Sequence, residues 1–306
     1  MNKYYLYILL LTGILASCKY DKDVATPDFL VTAASLTDSV NQPITFTFSG
    51  DVDIITFYSG KQGNDYQYRD RLTADGKPQL QFSTLRQYGD NPGVADNTLQ
   101  LLVSTDFTGD YTIAGIQQAH WKDLTDRAAF STGKDANYVP SGIVDLSDVT
   151  HKDSTGADSA IYIAFRYHEL QTSATKRAWY TKDFSVDNIL SDGSVVNVAG
   201  NNVVFTPVEV QDSLRTWYVY ATSTLMWGGA NTNPETEDWI ITSALYLDRV
   251  QRDLGVIVKS SPTTLQTSYT FPGYSKPGTY TVVFEAINAN RWGSKTIVKT
   301  LTITVQ

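Results

Sequence analysis

The side chain best suited to covalent chemistry in this sequence of 306 residues is its only cysteine, Cys18. It follows Lys3, an apolar stretch over residues 4–15 and the small pair Ala16-Ser17. A basic start, an apolar core too short to span a membrane and small residues before a cleavage point are typical of an export signal. The sequence therefore predicts a signal peptide over residues 1–17.

The position of the cysteine adds a specific chemistry to this signal. The stretch Leu15-Ala16-Ser17-Cys18 resembles the bacterial lipobox, in which diacylglycerol alkylates the thiol before the signal is cut. Processing then leaves a lipidated Cys18 as the first residue, and two or more acyl chains hold a protein firmly on a membrane. Residues 18–28, which are mostly polar and charged, are expected to form a lipid-anchored linker. The alternative is an ordinary secretory signal that has Cys18 near its end by chance.

Aromatic rings beside amide side chains form a second group of candidate residues. A sugar presents a flat apolar face and a rim of hydroxyls, so its receptors combine an exposed ring with Asp, Asn, Gln or Arg side chains. The segment Leu225–Glu235 carries Trp227, Asn231 and Asn233 and has the composition of a loop. The alternative is that Trp227 packs beneath the loop, because tryptophan is highly buried on average.

Two further tryptophans are ligand-binding candidates. Trp121 follows His120 in a predicted strand, where a tryptophan more often belongs to the core. Trp292 lies in a predicted turn between the last two strands and is expected to be exposed. Its alternative role is a stacking contact with Arg291 or with a neighbouring domain.

The motifs of common enzymes are absent from the sequence. His168-Glu169 lacks the second histidine of a zinc-protease helix, and no Gly-x-Ser-x-Gly elbow, Walker loop or EF-hand loop occurs. We therefore expect neither enzymatic activity nor a cofactor. The pairs Asp21/Asp23 and Asp51/Asp53 either bind calcium or are solvated turn residues, so metal binding stays open.

Charge and hydropathy limit the partners that the chain can have. The formal net charge is −8, and no cluster of Lys or Arg is long enough to follow a phosphate backbone, so nucleic acid is not expected as a partner. No second apolar stretch approaches the roughly 20 residues that a membrane helix requires. Lipid on Cys18 is the expected tether.

The composition and the alternating patterns favour β structure throughout. Tyr (19), Phe (12) and Trp (6) are abundant, and Ile44, Phe46 and Phe48 fall on one face of a predicted strand. Residues 278–288 and 296–305 have the same alternating pattern. The sequence predicts three all-β domains: an Ig/PKD-like sandwich over 29–74, a jelly roll over 75–248 and an Ig-like sandwich over 249–306.

Three parts of the chain resemble known families. Residues 46–60 with Tyr66–Arg71 resemble the opening of the Bacteroidetes lipoprotein family DUF5017, and residues 253–288 are similar to its ending. In the middle, Trp121–Thr125, Ser141–Ser147 and Ile161–Tyr167 resemble the galactose-binding-type jelly roll of anchor J domains. This second resemblance implies a fold more than a function.

The resemblance also implies a cellular setting. It implies an outer-membrane lipoprotein, anchored at the cell surface, that captures a glycan nutrient without catalysis beside a SusC/SusD-type importer. One alternative is a structural or adhesive accessory lipoprotein of such a complex, or its peptide-binding subunit. The third hypothesis is a glycoside hydrolase.

Substitution of the single thiol tests the anchor. Cys18→Ala should abolish both membrane fractionation and labelling by a palmitate analogue, because no other residue offers a site for the lipid. A variant that still requires detergent for extraction would contradict this prediction.

Overall fold

The computed structural model describes residues 23–88, 98–133, 135–150, 152, 154, 156–171, 176–200, 203–211, 216–220, 224–227, 234–260, 262 and 266–306, with the backbone alone for 224–227. Strands make up 54% of the described residues and helices 5%, which confirms the all-β prediction. Within these ranges, no helix is long and apolar enough to cross a membrane.

Twenty strands are found within the described ranges. In chain order they are β1 (Asp28–Ala33), β2 (Thr37–Asp38), β3 (Ile44–Asp51), β4 (Ile54–Tyr58), β5 (Gly76–Gln87), β6 (Leu99–Ser104), β7 (Lys122–Asp123), β8 (Val139–Pro140), β9 (Val144–Asp145), β10 (Tyr162–Glu169), β11 (Ala178–Leu190), β12 (Val195–Ala199), β13 (Phe205–Gln211), β14 (Trp217–Tyr220), β15 (Thr224–Trp227), β16 (Thr236–Thr242), β17 (Val256–Lys259), β18 (Ser268–Phe271), β19 (Gly278–Asn290) and β20 (Gly293–Val305). One short α-helix, Ile113–Gln118, follows β6.

The chain divides into two compact units. The terminal unit combines the residues up to Arg71 with Arg252–Gln306, and the central unit is Leu72–Gln251. In the terminal unit one sheet has the order β1-β3-β18 and the other has the order β17-β4-β19-β20-β2. Strands from both ends of the chain therefore lie in each sheet. The expected separate sandwiches over 29–74 and 249–306 are instead one sandwich.

The aromatic core explains why the two ends combine. Phe284 of β19 is fully buried, and its ring centroid lies 5.0 Å from that of Phe46 and 5.3 Å from that of Phe48, both on β3. Phe57 of β4 lies 5.1 Å from the same ring. A domain of about 60 residues is already marginal, because it buries only about 60% of the surface that its unfolded chain exposes, and the segment 29–74 is shorter still. The N-terminal strands therefore depend on β19 for the other half of their core.

The central unit is a second two-sheet sandwich. Its five-stranded sheet has the order β13-β16-β10-β6-β7, and its seven-stranded sheet contains β14-β15-β11-β5-β8, with β12 paired to β11 and β9 to β5. Phe165, Trp179 and Trp217 are among the largest side chains buried between the sheets. The helix Ile113–Gln118 contributes to a smaller cluster on the outer face of the five-stranded sheet.

An ion pair is also buried in the central unit. The side chains of Arg177 and Glu169 are 0% and 1% exposed, and Arg177 Nη1 donates to Glu169 Oε1 over 2.9 Å. The Tyr167 hydroxyl donates to the same carboxylate. Burial, reinforced by the negative charge of Glu169, raises the pKa of Tyr167, so its hydroxyl keeps the proton that this bond needs. The three side chains therefore form a unit that is costly to break in part.

Truncation of the shared aromatic core tests the single terminal sandwich. Phe284→Ala should lower the free energy of unfolding of the terminal unit by about 3–5 kcal/mol, since a fully buried ring is removed. Urea unfolding of Phe46→Ala, Phe284→Ala and the double variant should give a non-additive cycle, because the two rings touch. Val298→Ala on the exposed side of β20 is the control, with a change below about 0.5 kcal/mol. Effects of Phe46→Ala and Phe284→Ala on two separate unfolding transitions would contradict one shared core.

Removal of one ion-pair partner tests the buried charges. Glu169→Leu should destabilise the central unit by about 3–5 kcal/mol, because the buried Arg177 keeps its charge and loses the carboxylate that pairs with its Nη1. The double variant Glu169→Leu with Arg177→Met should recover part of that loss in the same urea titration. A double variant less stable than Glu169→Leu alone would mean that the aliphatic part of Arg177, rather than its charge, determines stability.

Candidate functional site

Three tyrosines form a row across the outer face of the seven-stranded sheet. Tyr218 of β14 and Tyr180 of β11 both pair with Met226 of β15, and Tyr180 is also opposite Leu85 of β5. Tyr138 completes the row from the residue before β8. Thr84 of β5 is opposite Val139 in the antiparallel pairing of β5 with β8. Continuing this register by one residue places Tyr138 opposite Leu85, the residue that pairs with Tyr180.

Alternation along each strand is what places these rings outside. Trp217 and Trp179, the residues before Tyr218 and Tyr180, are each only 1% exposed because they pack between the two sheets. Successive side chains of a strand point to opposite faces, so the following tyrosine must leave the core. Tyr218 is 49% exposed as a result.

The backbone positions of the row are evenly spaced across the sheet. Two strand separations lie between Tyr218 and Tyr180 and two more between Tyr180 and Tyr138, which is about 9.5 Å for each step. Tyr220 adds a second ring on β14, with its centroid 6.4 Å from that of Tyr218. Tyr88, 63% exposed, follows the end of β5 in a left-handed backbone conformation.

Tyr180 lies among other tyrosines on this face. Burial raises its pKa, and the neighbouring hydroxyls of Tyr88, Tyr138 and Tyr220 raise it further. We call Tyr88, Tyr138, Tyr180, Tyr218 and Tyr220 the tyrosine face. A tyrosine hydroxyl can both donate and accept hydrogen bonds.

One charged side chain adjoins the tyrosine face. The Lys182 ammonium lies 4.5 Å from the centroid of the Tyr138 ring. Farther along β11, beyond a bulge and about 20 Å from Tyr180, the Asp187 carboxylate accepts from the Ser185 hydroxyl over 2.8 Å and from the Asn197 amide over 2.7 Å. Rings that can stack, with their own hydroxyls and an ammonium beside them, suit a sugar ring.

Trp121 does not form an open stacking surface for a ligand. It lies just before β7 in the central unit, and its indole Nε1 donates to the Ile116 carbonyl oxygen over 3.0 Å. Its ring centroid is 5.4 Å from that of Phe107 and 5.1 Å from that of Trp239. These two aromatic neighbours make Trp121 part of the cluster under the helix Ile113–Gln118. The structure therefore favours the core alternative for Trp121.

A groove of about 380 Å³ lies beside Trp121. Its charged groups are paired with one another: His120 Nδ1 is 2.6 Å from Asp106 Oδ2, and Lys122 Nζ donates to Asp148 over 2.7 Å. The hydrogen bond from His120 lowers the pKa of Asp106. Asp148 also accepts from Arg127 Nη1 over 2.7 Å, so the charged side chains of the groove already have protein partners.

Trp292 is exposed, as expected. It lies between β19 and β20 in the terminal unit with 52% of its surface accessible. The Arg291 guanidinium is 4.5 Å from its ring centroid, so the predicted stacking contact with Arg291 is present. Trp121 and Trp292 belong to different units, and neither belongs to the tyrosine face.

The remaining predicted residues are only partly described. Trp227 ends β15 at the register position between Trp179 and Trp217, so part of the segment predicted as a loop is a strand. Its side chain, together with Asn231 and Asn233, lies outside the described residues, and so does Cys18. Among the side chains that the structure describes, no group of three or more His, Cys, Asp or Glu could hold a metal ion.

Sequence reasoning missed the tyrosine face, although a signal for part of it was present. Trp217-Tyr218-Val219-Tyr220 and Trp179-Tyr180 both place a tyrosine directly after a large apolar residue in a predicted strand. Alternation predicts opposite faces for each such pair. Only the register across five strands shows that the tyrosines are neighbours.

The comparison with protein families finds a match. The family described as a domain of unknown function, DUF5017, matches residues 17–204. No match was found among curated proteins. Because the family match covers well over half of the chain, including β1 to β12, the chain belongs to the DUF5017 family.

Proposed function

We propose that this chain is a non-catalytic lipoprotein of a Bacteroidetes outer membrane that captures a glycan on its tyrosine face. The observation that carries the proposal is the row of Tyr218, Tyr180 and Tyr138 on the outer side of one sheet. An aromatic row with its own hydroxyls, and with the Lys182 ammonium beside it, can stack on the apolar faces of sugars and bond to their hydroxyl rims.

The spacing of the row favours an extended glycan chain over a single sugar. Equal steps of about 9.5 Å allow one linear chain, running across the strands, to meet successive rings at similar points of its repeat. From Tyr218 to Tyr138 the row covers four strand separations, or about 19 Å. A monosaccharide would contact one ring and gain little.

The cellular setting of the proposal comes from the N-terminal sequence and the family resemblance. Lipid on Cys18 would tether the chain to the outer membrane at the cell surface. A SusC/SusD-type importer beside it would take up the captured glycan. Binding without cleavage requires no nucleophile or cofactor, and the tyrosine face offers a surface of rings and neutral donors.

Ring removal tests the tyrosine face. Tyr180→Ala should weaken glycan binding at least tenfold, or about 1.4 kcal/mol, because the central ring of the row is lost. Tyr180→Phe should retain most of the affinity, since the stacking surface remains. Affinity electrophoresis of the full chain against a panel of soluble polysaccharides, followed by calorimetry on those that bind, provides the measurement.

Val219, which is next to Tyr218 on β14, provides the control. Val219→Ala changes an equally exposed side chain on β14 that alternates to the other face from Tyr218, and it should leave affinity unchanged. Affinity should also rise with oligosaccharide length until the chain spans the row. Unaltered binding by a Tyr180→Ala, Tyr218→Ala double variant would move the site elsewhere. Binding of peptides, with no glycan bound, would replace this function by the peptide-binding alternative.

A further inference from the structure

The hairpin formed by β19 and β20 extends beyond the sheet that contains it. Within the sheet, β19 lies between β4 and β20. Its pairing with β4 ends at Ile287, whereas its pairing with β20 continues to the Asn290–Gly293 pair. Every residue from Ala289 to Thr296 is exposed. We call Asn288–Lys295 the hairpin tip.

The hairpin tip combines an aromatic ring with positive charge. Trp292 is its only aromatic residue, and the Arg291 guanidinium lies 4.5 Å from the ring centroid. Lys295 is exposed opposite Asn288 on the second strand. The Asn290 side chain accepts from the Trp292 backbone N–H over 2.8 Å and so helps to hold the turn. Tryptophan is enriched at membrane interfaces, and arginine and lysine are attracted to anionic headgroups.

The N-terminal segment approaches the terminal unit at this same end. Asn288 Nδ2 donates to the Ala25 carbonyl oxygen over 3.3 Å. Cys18 precedes Ala25 by seven residues in the sequence, a length that reaches at most about 25 Å when fully extended. Trp292 is four residues beyond Asn288, so the turn projects about 10 Å further along the hairpin. A lipid on Cys18 would therefore tether the chain on the side where the hairpin tip projects.

We propose that the hairpin tip is a membrane-contact element, with Trp292 in the interfacial layer of the bilayer and Arg291 and Lys295 at anionic headgroups. The proposal rests on the lipid anchor of the proposed function and is independent of glycan binding. The tip supplies a second point of attachment. One flexible tether leaves a protein free to rotate, whereas a tether with a fixed contact beside it gives the terminal unit a preferred orientation on the membrane.

A fluorescent label next to the tip tests this contact in the full lipidated chain. Because the lipid occupies the thiol of Cys18, Ser294→Cys supplies a single free thiol while Trp292 is retained. An environment-sensitive dye on that thiol, in vesicles of phosphatidylethanolamine and phosphatidylglycerol, should show a blue-shifted emission and quenching by brominated lipids. The matched control is the same dye at Ser275→Cys. Ser275 is exposed and lies shortly before β19 begins, at the end of the strand away from the hairpin tip, so its label should show neither effect.

Variants of the tip separate its two chemical contributions. Trp292→Ala in the Ser294→Cys background should reduce quenching in all vesicles, because the interfacial ring is lost. Arg291→Ala with Lys295→Ala should reduce it in vesicles with phosphatidylglycerol and have little effect in neutral phosphatidylcholine.

Three results would overturn the proposal. An anchored chain whose Ser294 label is as water-exposed as the Ser275 label rejects the hairpin contact and leaves the lipid anchor intact. A chain that stays in the aqueous fraction rejects both. A label that shifts only with intact cell-surface protein complexes, and not with vesicles, assigns the tip to a protein partner.

Discussion

Alternation of side chains at the start of β11 and of β14 determines part of both the core of the central unit and its outer surface. Trp179 and Trp217 are buried against the five-stranded sheet, and each is followed by a tyrosine that must therefore face outwards. A shift of either strand by one residue would exchange the two sets. The large energy of burying the tryptophans thus fixes the position of the tyrosine rings, which themselves contribute less to stability.

Local pattern was enough to predict the class of the fold but not its domain organisation. Ile44, Phe46 and Phe48 alternate in the sequence and are all buried, as predicted. The same pattern carries no information about partners, because the edge of β4 can pair with any strand of suitable length. Its partner β19 comes from the other end of the chain, so two predicted sandwiches are one. The positions of β19 and β20 could be predicted from the sequence, but not the pairing of β19 with β4.

The candidate site was predicted less well, for a related reason. Tryptophans were the most visible stacking residues, yet the ring of Trp121 lies against Phe107 and Trp239. The tyrosine face combines residues from β11, β14 and the segments after β5 and before β8, and these segments are distant in sequence. Its existence depends on strand order and register, which composition and spacing do not contain. The exposure of Trp292, in contrast, followed from a local turn and could be predicted.

The pairing of β4 with β19 also determines the order in which the chain can fold. The central unit is one uninterrupted segment, Leu72–Gln251, so all of its strands are available before β17 to β20 have been made. The first four strands are available earlier still, but the rings of Phe46 and Phe57 have no Phe284 to pack against until β19 follows. Until then an apolar sheet face stays open to other chains. The earliest part of the chain is therefore the last to become stable, and it is the part most exposed to wrong partners while the chain is being made.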